Sequence, residues 1–82
     1  MSKWFLYVVK CTDESLYTGI TTDLQKRISK HNAKNGAKSL RGKLPVKLVY
    51  SEEFTDRGQA SKREYAIKQL PRAEKLKLIQ GL

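Results

Sequence analysis

An arginine and a histidine on one predicted helix are the first residues whose types and spacing suggest chemistry. Arg27 precedes His31 by four positions, so the two side chains are neighbours on a helix surface. Histidine can exchange a proton near neutral pH, whereas arginine keeps its positive charge. The spacing therefore places a titratable ring beside a fixed positive charge.

Glu64 is the single acidic residue that periodicity makes a candidate metal ligand. On the helix predicted around it, Glu64 lies about 40° from Ala60, at the edge of an apolar stripe, and one turn before Ile67. A carboxylate that faces the sheet is costly unless it is paired or binds a metal. The alternative is an ordinary ion pair with Lys68 at i+4, and periodicity alone favours that alternative.

Two tyrosines occur in a predicted β-hairpin, and their relative orientation depends on the turn. A two-residue loop would pair Tyr7 with Ile20 and place Tyr7 and Tyr17 on opposite faces. A three- or five-residue loop centred on Asp13 would pair Tyr7 with Gly19 and place the tyrosines on one face. Both tyrosines could also be plain strand formers, and the residues by themselves leave these alternatives open.

The first half of the chain reads as two strands and a helix. Residues 4–10 and 16–21 are rich in aromatic and β-branched side chains and flank a turn-forming segment. Thr22 and Gln25 have the spacing of a capping box, which predicts a helix from Thr22 to about Lys34. Asn35-Gly36 is expected to end that helix.

The second half is predicted to contain a loop, one strand and two helices. A basic loop should cover residues 35–44, and residues 45–50 should form a strand. Asp56, with Gln59 three positions later, is expected to cap the next helix, and Pro71 suits the first turn of the last one. The expected apolar positions are Val46, Leu48 and Tyr50 on one strand face, Ala60, Ala66, Ile67 and Leu70 on the second helix, and Leu76, Leu78 and Ile79 on the third.

These elements predict an α+β fold in the order β-β-α-β-α-α. A small, largely antiparallel three-stranded sheet should carry the helices in a two-layer arrangement. We expect a single domain over residues 1–82.

The composition excludes several classes of protein. A chain of 82 residues cannot form a large enzyme with a deep, enclosed cofactor cavity. Cys11 is the only cysteine, which excludes an intramolecular disulfide and a cysteine-cluster zinc site and suits a reducing compartment. The longest apolar run, residues 4–9, is too short for a membrane span or a signal peptide. We therefore expect a soluble, cytoplasmic protein.

The positive charge is concentrated in the middle of the chain. The formal net charge is +9, and no acid occurs between Leu24 and Tyr50. A basic face of this kind favours a polyanionic partner such as nucleic acid, although a merely solvated lysine-rich face is the alternative. The residues expected to contact phosphates are Lys26, Lys30, Lys34, Lys38, Arg41 and Lys43.

Taken together, the spaced residues resemble those of the GIY-YIG endonuclease superfamily. Leu6-Tyr7-Val8 stands ten residues before Tyr17-Thr18-Gly19, Arg27 and His31 follow on a helix, and Glu64 lies on a later helix. The resemblance covers essentially the whole chain and is closest to small stand-alone bacterial members. Leu6, Val8 and Thr18 differ from the family's motif at packing positions.

The resemblance implies a role for each matched residue. Tyr7 would take a proton from the attacking water, and Tyr17 would orient the water or the phosphate. Arg27 would neutralise charge on the phosphate, and His31 would assist proton transfer or contact the leaving group. Glu64 would bind one Mg²⁺ or Mn²⁺, whose other ligands are waters and a phosphate oxygen.

Gly19 would allow a close approach, and the two tyrosines would share a face.

The implied function is metal-dependent hydrolysis of phosphodiester bonds in DNA, with RNA and branched or damaged DNA as further substrates. The protein is expected to be a monomer whose binding is weak, nonspecific and strongly salt-dependent. One alternative is a nucleic-acid-binding module that keeps the fold without cleaving. Another is a basic protein that docks on an acidic protein partner.

Overall fold

A three-stranded antiparallel sheet forms the centre of the protein. The computed structural model describes residues 3–34 and 38–80, apart from the side chains of Ser39 and Arg41. The strands are β1 (Trp4–Lys10), β2 (Leu16–Thr21) and β3 (Lys47–Phe54), and their order in the sheet is β2-β1-β3. The predicted α+β class and the order β-β-α-β-α-α are confirmed.

The turn between β1 and β2 decides which face each hairpin residue occupies. Cys11 N–H donates to Ser15 O at 2.9 Å, and Glu14, the last residue of the three-residue loop, has a φ of 69°. A three-residue loop that ends in the left-handed region is a common hairpin connection. It pairs Tyr7 with Gly19, so the odd-length alternative is the one present, and Tyr7 and Tyr17 lie on the same face.

The first helix, α1 (Leu24–Asn32), starts later and ends earlier than predicted. The expected cap at Thr22 is wrong, because Asp23 is the N-cap and its Oδ1 accepts from Lys26 N–H at 3.0 Å. The helix does not reach Lys34, whose φ of 67° lies outside helical geometry. The predicted helix end at Asn35-Gly36 lies outside the described residues.

Part of the predicted basic loop is regular structure. Residues Lys38–Lys43 form a 3₁₀ helix, whereas a loop without regular structure was expected. Leu40 is only 3% exposed within this segment, and burial of that apolar side chain provides a physical reason for the ordered turn.

β3 is longer than predicted and contains a bulge opposite the centre of the sheet. Val8 pairs with Tyr50, whereas Val9 pairs with Leu48, so the residue between Leu48 and Tyr50 has no partner on β1. An extra residue of this kind breaks the period-two alternation of side chains. The prediction that positions 46, 48 and 50 share one face is therefore wrong.

Apolar side chains form a separate cluster on each face of the sheet. Val46 belongs to the cluster that contains Tyr7 and Val9, whereas Tyr50 packs against Leu6 and Val8 on the other face. Leu24 and Ile28 of α1 pack on the Tyr7 face, and the later helices pack on the opposite face. Because helices pack on both faces, the sheet is the middle of three layers, whereas two layers were expected.

The last two helices are α2 (Arg57–Lys68) and α3 (Arg72–Ile79). Asp56 is the N-cap of α2, as predicted, and its Oδ1 accepts from Gln59 N–H at 2.8 Å. Pro71 is the N-cap of α3, one position before the first turn in which it was expected. In the part of the chain that the structure describes, no helix has the length and apolar character needed to span a bilayer.

The apolar stripe predicted for α2 is narrower than expected. Ala60 and Ile67 are fully buried, but Ala66 is exposed. Successive helical residues are about 100° apart, so the residue before Ile67 points away from the sheet. Leu70 lies beyond the end of α2 and still packs on the cluster around Leu6.

Candidate active site

The two tyrosines of the hairpin are neighbours on the α1 face of the sheet. Their ring centroids are 6.4 Å apart, and Tyr7 is 1% exposed. The ring of Tyr7 crosses directly over Gly19, where an added Cβ would lie 2.6 Å from Tyr7 Oη. A side chain at position 19 would therefore displace the Tyr7 hydroxyl, and the close approach expected at this glycine is present.

His31 reaches the same hydroxyl from the last turn of α1. Its Nε2 is 2.9 Å from Tyr7 Oη, and its ring centroid is 5.6 Å from that of Tyr17. His31 is 1% exposed. Burial lowers the pKa of the imidazole, and the positive charge of Arg27 lowers it further. The ring is therefore neutral at pH 7.

Arg27 lies one turn earlier on the same face of α1. Its Nε donates to Tyr7 Oη at 3.4 Å. The hydrogen bond to Tyr7 raises the pKa of Arg27, so the guanidinium keeps its charge. The i, i+4 spacing noted in the sequence thus directs both side chains to one phenol oxygen.

The phenol of Tyr7 is protonated at neutral pH. Burial raises the pKa of Tyr7, and the hydrogen bond from Arg27 offsets that effect only in part. Arginine can only donate, so Tyr7 Oη accepts from Arg27. In the contact with His31 Nε2, Tyr7 Oη donates when the imidazole proton is on Nδ1 and accepts when that proton is on Nε2.

Glu64 lies at the edge of the buried face of α2, close to this group. Its side chain is 24% exposed, and its Oε2 is 3.1 Å from Lys68 Nζ. The ion pair that periodicity favoured is therefore present. The carboxylate is also near enough to Tyr7 for its negative charge to raise the pKa of the phenol. The structure thus brings Tyr7, Tyr17, Arg27 and His31 into contact, with Glu64 within electrostatic range of Tyr7.

The donor set around Glu64 fits a hydrated hard cation. Among residues 3–34 and 38–80, no three histidine, cysteine or acidic side chains cluster as a metal site. Zinc sites in proteins use three or four such ligands, whereas Mg²⁺ keeps several waters and is often bound through one or two carboxylates and substrate phosphates. A single half-buried carboxylate suits the second pattern.

A basic pocket adjoins Arg27 at the start of α1. Its volume is about 280 Å³. The residues that line it are Thr21, Thr22, Asp23, Lys26, Arg27 and Lys30.

The remaining basic residues of the predicted phosphate surface have different surroundings. Lys34 and Lys38 are exposed, whereas Lys43 Nζ lies 3.6 Å from Asp13 Oδ2, which offsets part of its charge. The side chain of Arg41 lies outside the described part of the chain.

Asn32, which no sequence motif indicated, positions the site. Asn32 Oδ1 accepts from Val46 N–H at 2.7 Å, and its Nδ2 donates to Val46 O at 3.2 Å. This paired contact ties the end of α1, directly after His31, to the start of β3. The position of Asn32 directly after His31 was the one signal in the sequence. The contact itself could not be predicted locally, because Val46 is 14 positions away.

Comparison with known proteins shows the family to which the chain belongs. Residues 3–77 match the model of the GIY-YIG catalytic domain. A UPF0213 protein of Staphylococcus haemolyticus is 50% identical over 80 residues, which cover 98% of each chain. A UPF0213 protein of Clostridium perfringens is 56% identical over 77 residues, covering 94% of this chain and 83% of that protein.

Two solution NMR structures have the same fold. A UPF0213 protein of Bacillus halodurans superposes with a TM-score of 0.62 at 40% identity, over 95% of this chain and 83% of that one. A protein of E. faecalis superposes with a TM-score of 0.66 at 35% identity, over 99% and 86% of the two chains. The chain, matched to the catalytic-domain model over nearly all of its length, belongs to the GIY-YIG family.

Proposed function

We propose that this protein is a nuclease that hydrolyses phosphodiester bonds in DNA with the help of one divalent metal ion. The observation that carries the proposal is the convergence of Arg27 and His31 on Tyr7 Oη, beside the negative charge of Glu64. A nucleic-acid-binding module needs positive charge but has no use for a protonated phenol held between a guanidinium and a neutral imidazole. A single domain over residues 1–82 would perform the reaction, and the lone thiol of Cys11 suits the cytoplasm.

Tyr7 acts in this proposal as a proton relay. The attacking water gives a proton to Tyr7 Oη, and the phenol passes its own proton to Nε2 of His31, 2.9 Å away. The resulting hydroxide attacks phosphorus, the bond to the ester oxygen opposite it breaks, and that oxygen takes a proton from solvent while His31 returns its proton to solvent. Because the pKa of Tyr7 is raised, a free phenolate would be scarce at pH 7, and the neutral imidazole removes the need for one.

Arg27 and Tyr17 complete the protein's part in the reaction. The guanidinium of Arg27 would stabilise negative charge that develops on the phosphate oxygens, an effect that can contribute several kcal/mol. Tyr17 would orient the water or the phosphate, because its ring lies beside those of Tyr7 and His31. His31 is buried, so proton transfer through Tyr7 suits it better than contact with the leaving group.

Glu64 would hold Mg²⁺ or Mn²⁺ on the substrate side of this group. Bound there, the ion would act as a Lewis acid on the phosphate and lower the pKa of a water molecule. The lysines of the acid-free segment would hold the DNA backbone, with weak and nonspecific affinity, and the protein would act as a monomer. The residues assigned to that contact are Lys26, Lys30, Lys34, Lys38, Arg41 and Lys43.

The first test is plasmid nicking by purified protein in Mg²⁺. Glu64→Gln should lower the nicking rate at least about a hundredfold, as loss of an essential catalytic group does, whereas a gel shift in EDTA should show nearly unchanged DNA binding. Glu53→Gln is the matched control, because Glu53 is exposed and pairs with Lys3 away from Tyr7. Equal nicking by Glu64→Gln and wild type would refute the assignment, and binding without any nicking by wild type would favour a non-catalytic module.

A further inference from the structure

Tyr65 is an exposed aromatic side chain directly after Glu64. It is 69% exposed, and within residues 3–34 and 38–80 the other exposed large apolar side chain is Leu48 at 38%. A single exposed apolar residue needs no explanation by itself. The surroundings of Tyr65 on α2, however, are specific.

Two lysines flank the tyrosine on the helix surface. Because each residue advances about 100° around the helix, Lys68 lies between Glu64 and Tyr65, and Lys62 lies beyond Tyr65. Lys68 Nζ is 3.1 Å from Glu64 Oε2, and its side chain is 51% exposed. Lys62 is exposed as well. A continuous surface therefore leads from the carboxylate to the ring, with an ammonium group on each side of the ring.

This arrangement has the chemistry of a contact for single-stranded nucleic acid. Bases stack on exposed aromatic rings, and neighbouring lysines neutralise the phosphates that connect them. In a duplex the faces of the bases are covered by their neighbours, so an outward-facing ring can stack only on a base that is unpaired. An acidic protein surface could pair with the lysines but would give no role to the ring.

We propose that Tyr65 is a stacking platform for an unpaired base a short distance along the strand from the bond that is cleaved. This inference rests on the proposed nuclease function, since it places the platform beside the metal-binding carboxylate. It selects strands with an unpaired segment as the favoured substrate. A strand passing Glu64 would cross Lys68, stack a base on Tyr65 and continue past Lys62.

The test compares binding of a fluorescein-labelled single strand with binding of the matching duplex. Anisotropy is measured in EDTA, so that no cleavage interferes. Tyr65→Ala should weaken single-strand binding by at least about fivefold, the lower end of one lost stacking contact, and should leave duplex binding nearly unchanged. Tyr65→Phe should restore wild-type binding, because the ring remains. Gln69→Ala, an exposed change one turn later on the chain, is the control.

Two results would overturn the inference: equal single-strand affinity of Tyr65→Ala and wild type, or equal losses on single strand and duplex. Thermal melting of each variant separates a binding loss from unfolding, and unchanged midpoints are expected at this exposed position. The proposed function is tested separately by nicking in Mg²⁺. If wild type cleaves DNA and Tyr65→Ala binds normally, only the platform is refuted; if wild type cleaves neither the plasmid nor the single strand in Mg²⁺, the nuclease proposal is refuted whatever the binding data show.

Discussion

A single hydroxyl group, Tyr7 Oη, organises the candidate site. This hydroxyl accepts a hydrogen bond from Arg27, which can only donate. It also forms a hydrogen bond with the neutral imidazole of His31. Burial raises the pKa of the phenol, so little of Tyr7 is present as the basic phenolate at pH 7. The same burial lowers the pKa of His31, so the imidazole is neutral and able to accept a proton at pH 7, but it is a weaker base than a free imidazole. The two pKa shifts thus keep both partners of the proposed proton path uncharged before the reaction.

The proton path predicts the pH dependence of cleavage. The pKa of His31 lies below its ordinary value of 6.5, so the rate should rise as pH increases through that lowered pKa and then stay level to about pH 9. Single-turnover nicking rates between about pH 5 and 9 would measure this. A mechanism that needs free Tyr7 phenolate would instead give a rate that keeps rising about tenfold per pH unit across the alkaline range. Such a rise would refute the relay.

At the scale of the elements, α1 delivers Arg27 and His31 together. Its start is fixed by Asp23, and its end is tied to β3 through Asn32 and Val46. The other side of the candidate site comes from the β1–β2 hairpin, whose three-residue loop places both tyrosines on the α1 face of the sheet. The site therefore depends on two local devices, a helix cap and a turn, and each can be tested by itself.

Loss of the α1 cap should destabilise the protein by a predictable amount. Asp23→Ala removes the acceptor for Lys26 N–H and should lower the free energy of unfolding by about 1 kcal/mol. Urea denaturation measures the change. Asp23→Asn keeps an acceptor oxygen and should cost much less, so equal losses in the two variants would show that the negative charge, and not the cap, matters.

At the scale of the whole molecule, the charges are divided between surfaces. Lysines that face acids, such as Lys3 with Glu53 and Lys10 with Glu14, lie away from the pocket beside Arg27. Lys26 and Lys30 line that pocket. Together with Arg27, these two lysines give the pocket beside the candidate site a positive character.

This division predicts which lysine controls the salt dependence of DNA binding. Lys30→Ala should reduce the slope of log affinity against log salt concentration by about one, the change expected for one lost phosphate contact. Lys3→Ala should leave the slope nearly unchanged. Gel shifts on one duplex over a series of salt concentrations would measure both slopes. Equal slopes for Lys30→Ala and wild type would remove Lys30 from the interface.

The sequence by itself determined the element order, the Asp56 cap and the pairing of Arg27 with His31 on one helix face. These features depend on local periodicity and capping chemistry, which short stretches of sequence encode. The shared face of the tyrosines was left open by the residues and was expected only from the family resemblance. It depends on the loop geometry around Asp13, and the residues allowed a loop of two, three or five residues.

Only the tertiary structure decided the long-range contacts. The bulge before Tyr50 depends on how β3 pairs with β1, and the Asn32–Val46 tie joins residues from different elements. Likewise, the raised pKa of Tyr7 and the lowered pKa of His31 follow from the burial of both side chains. Desolvation and pairing between distant segments have no local signature in the chain, because each is created only when the helix and the sheet pack together.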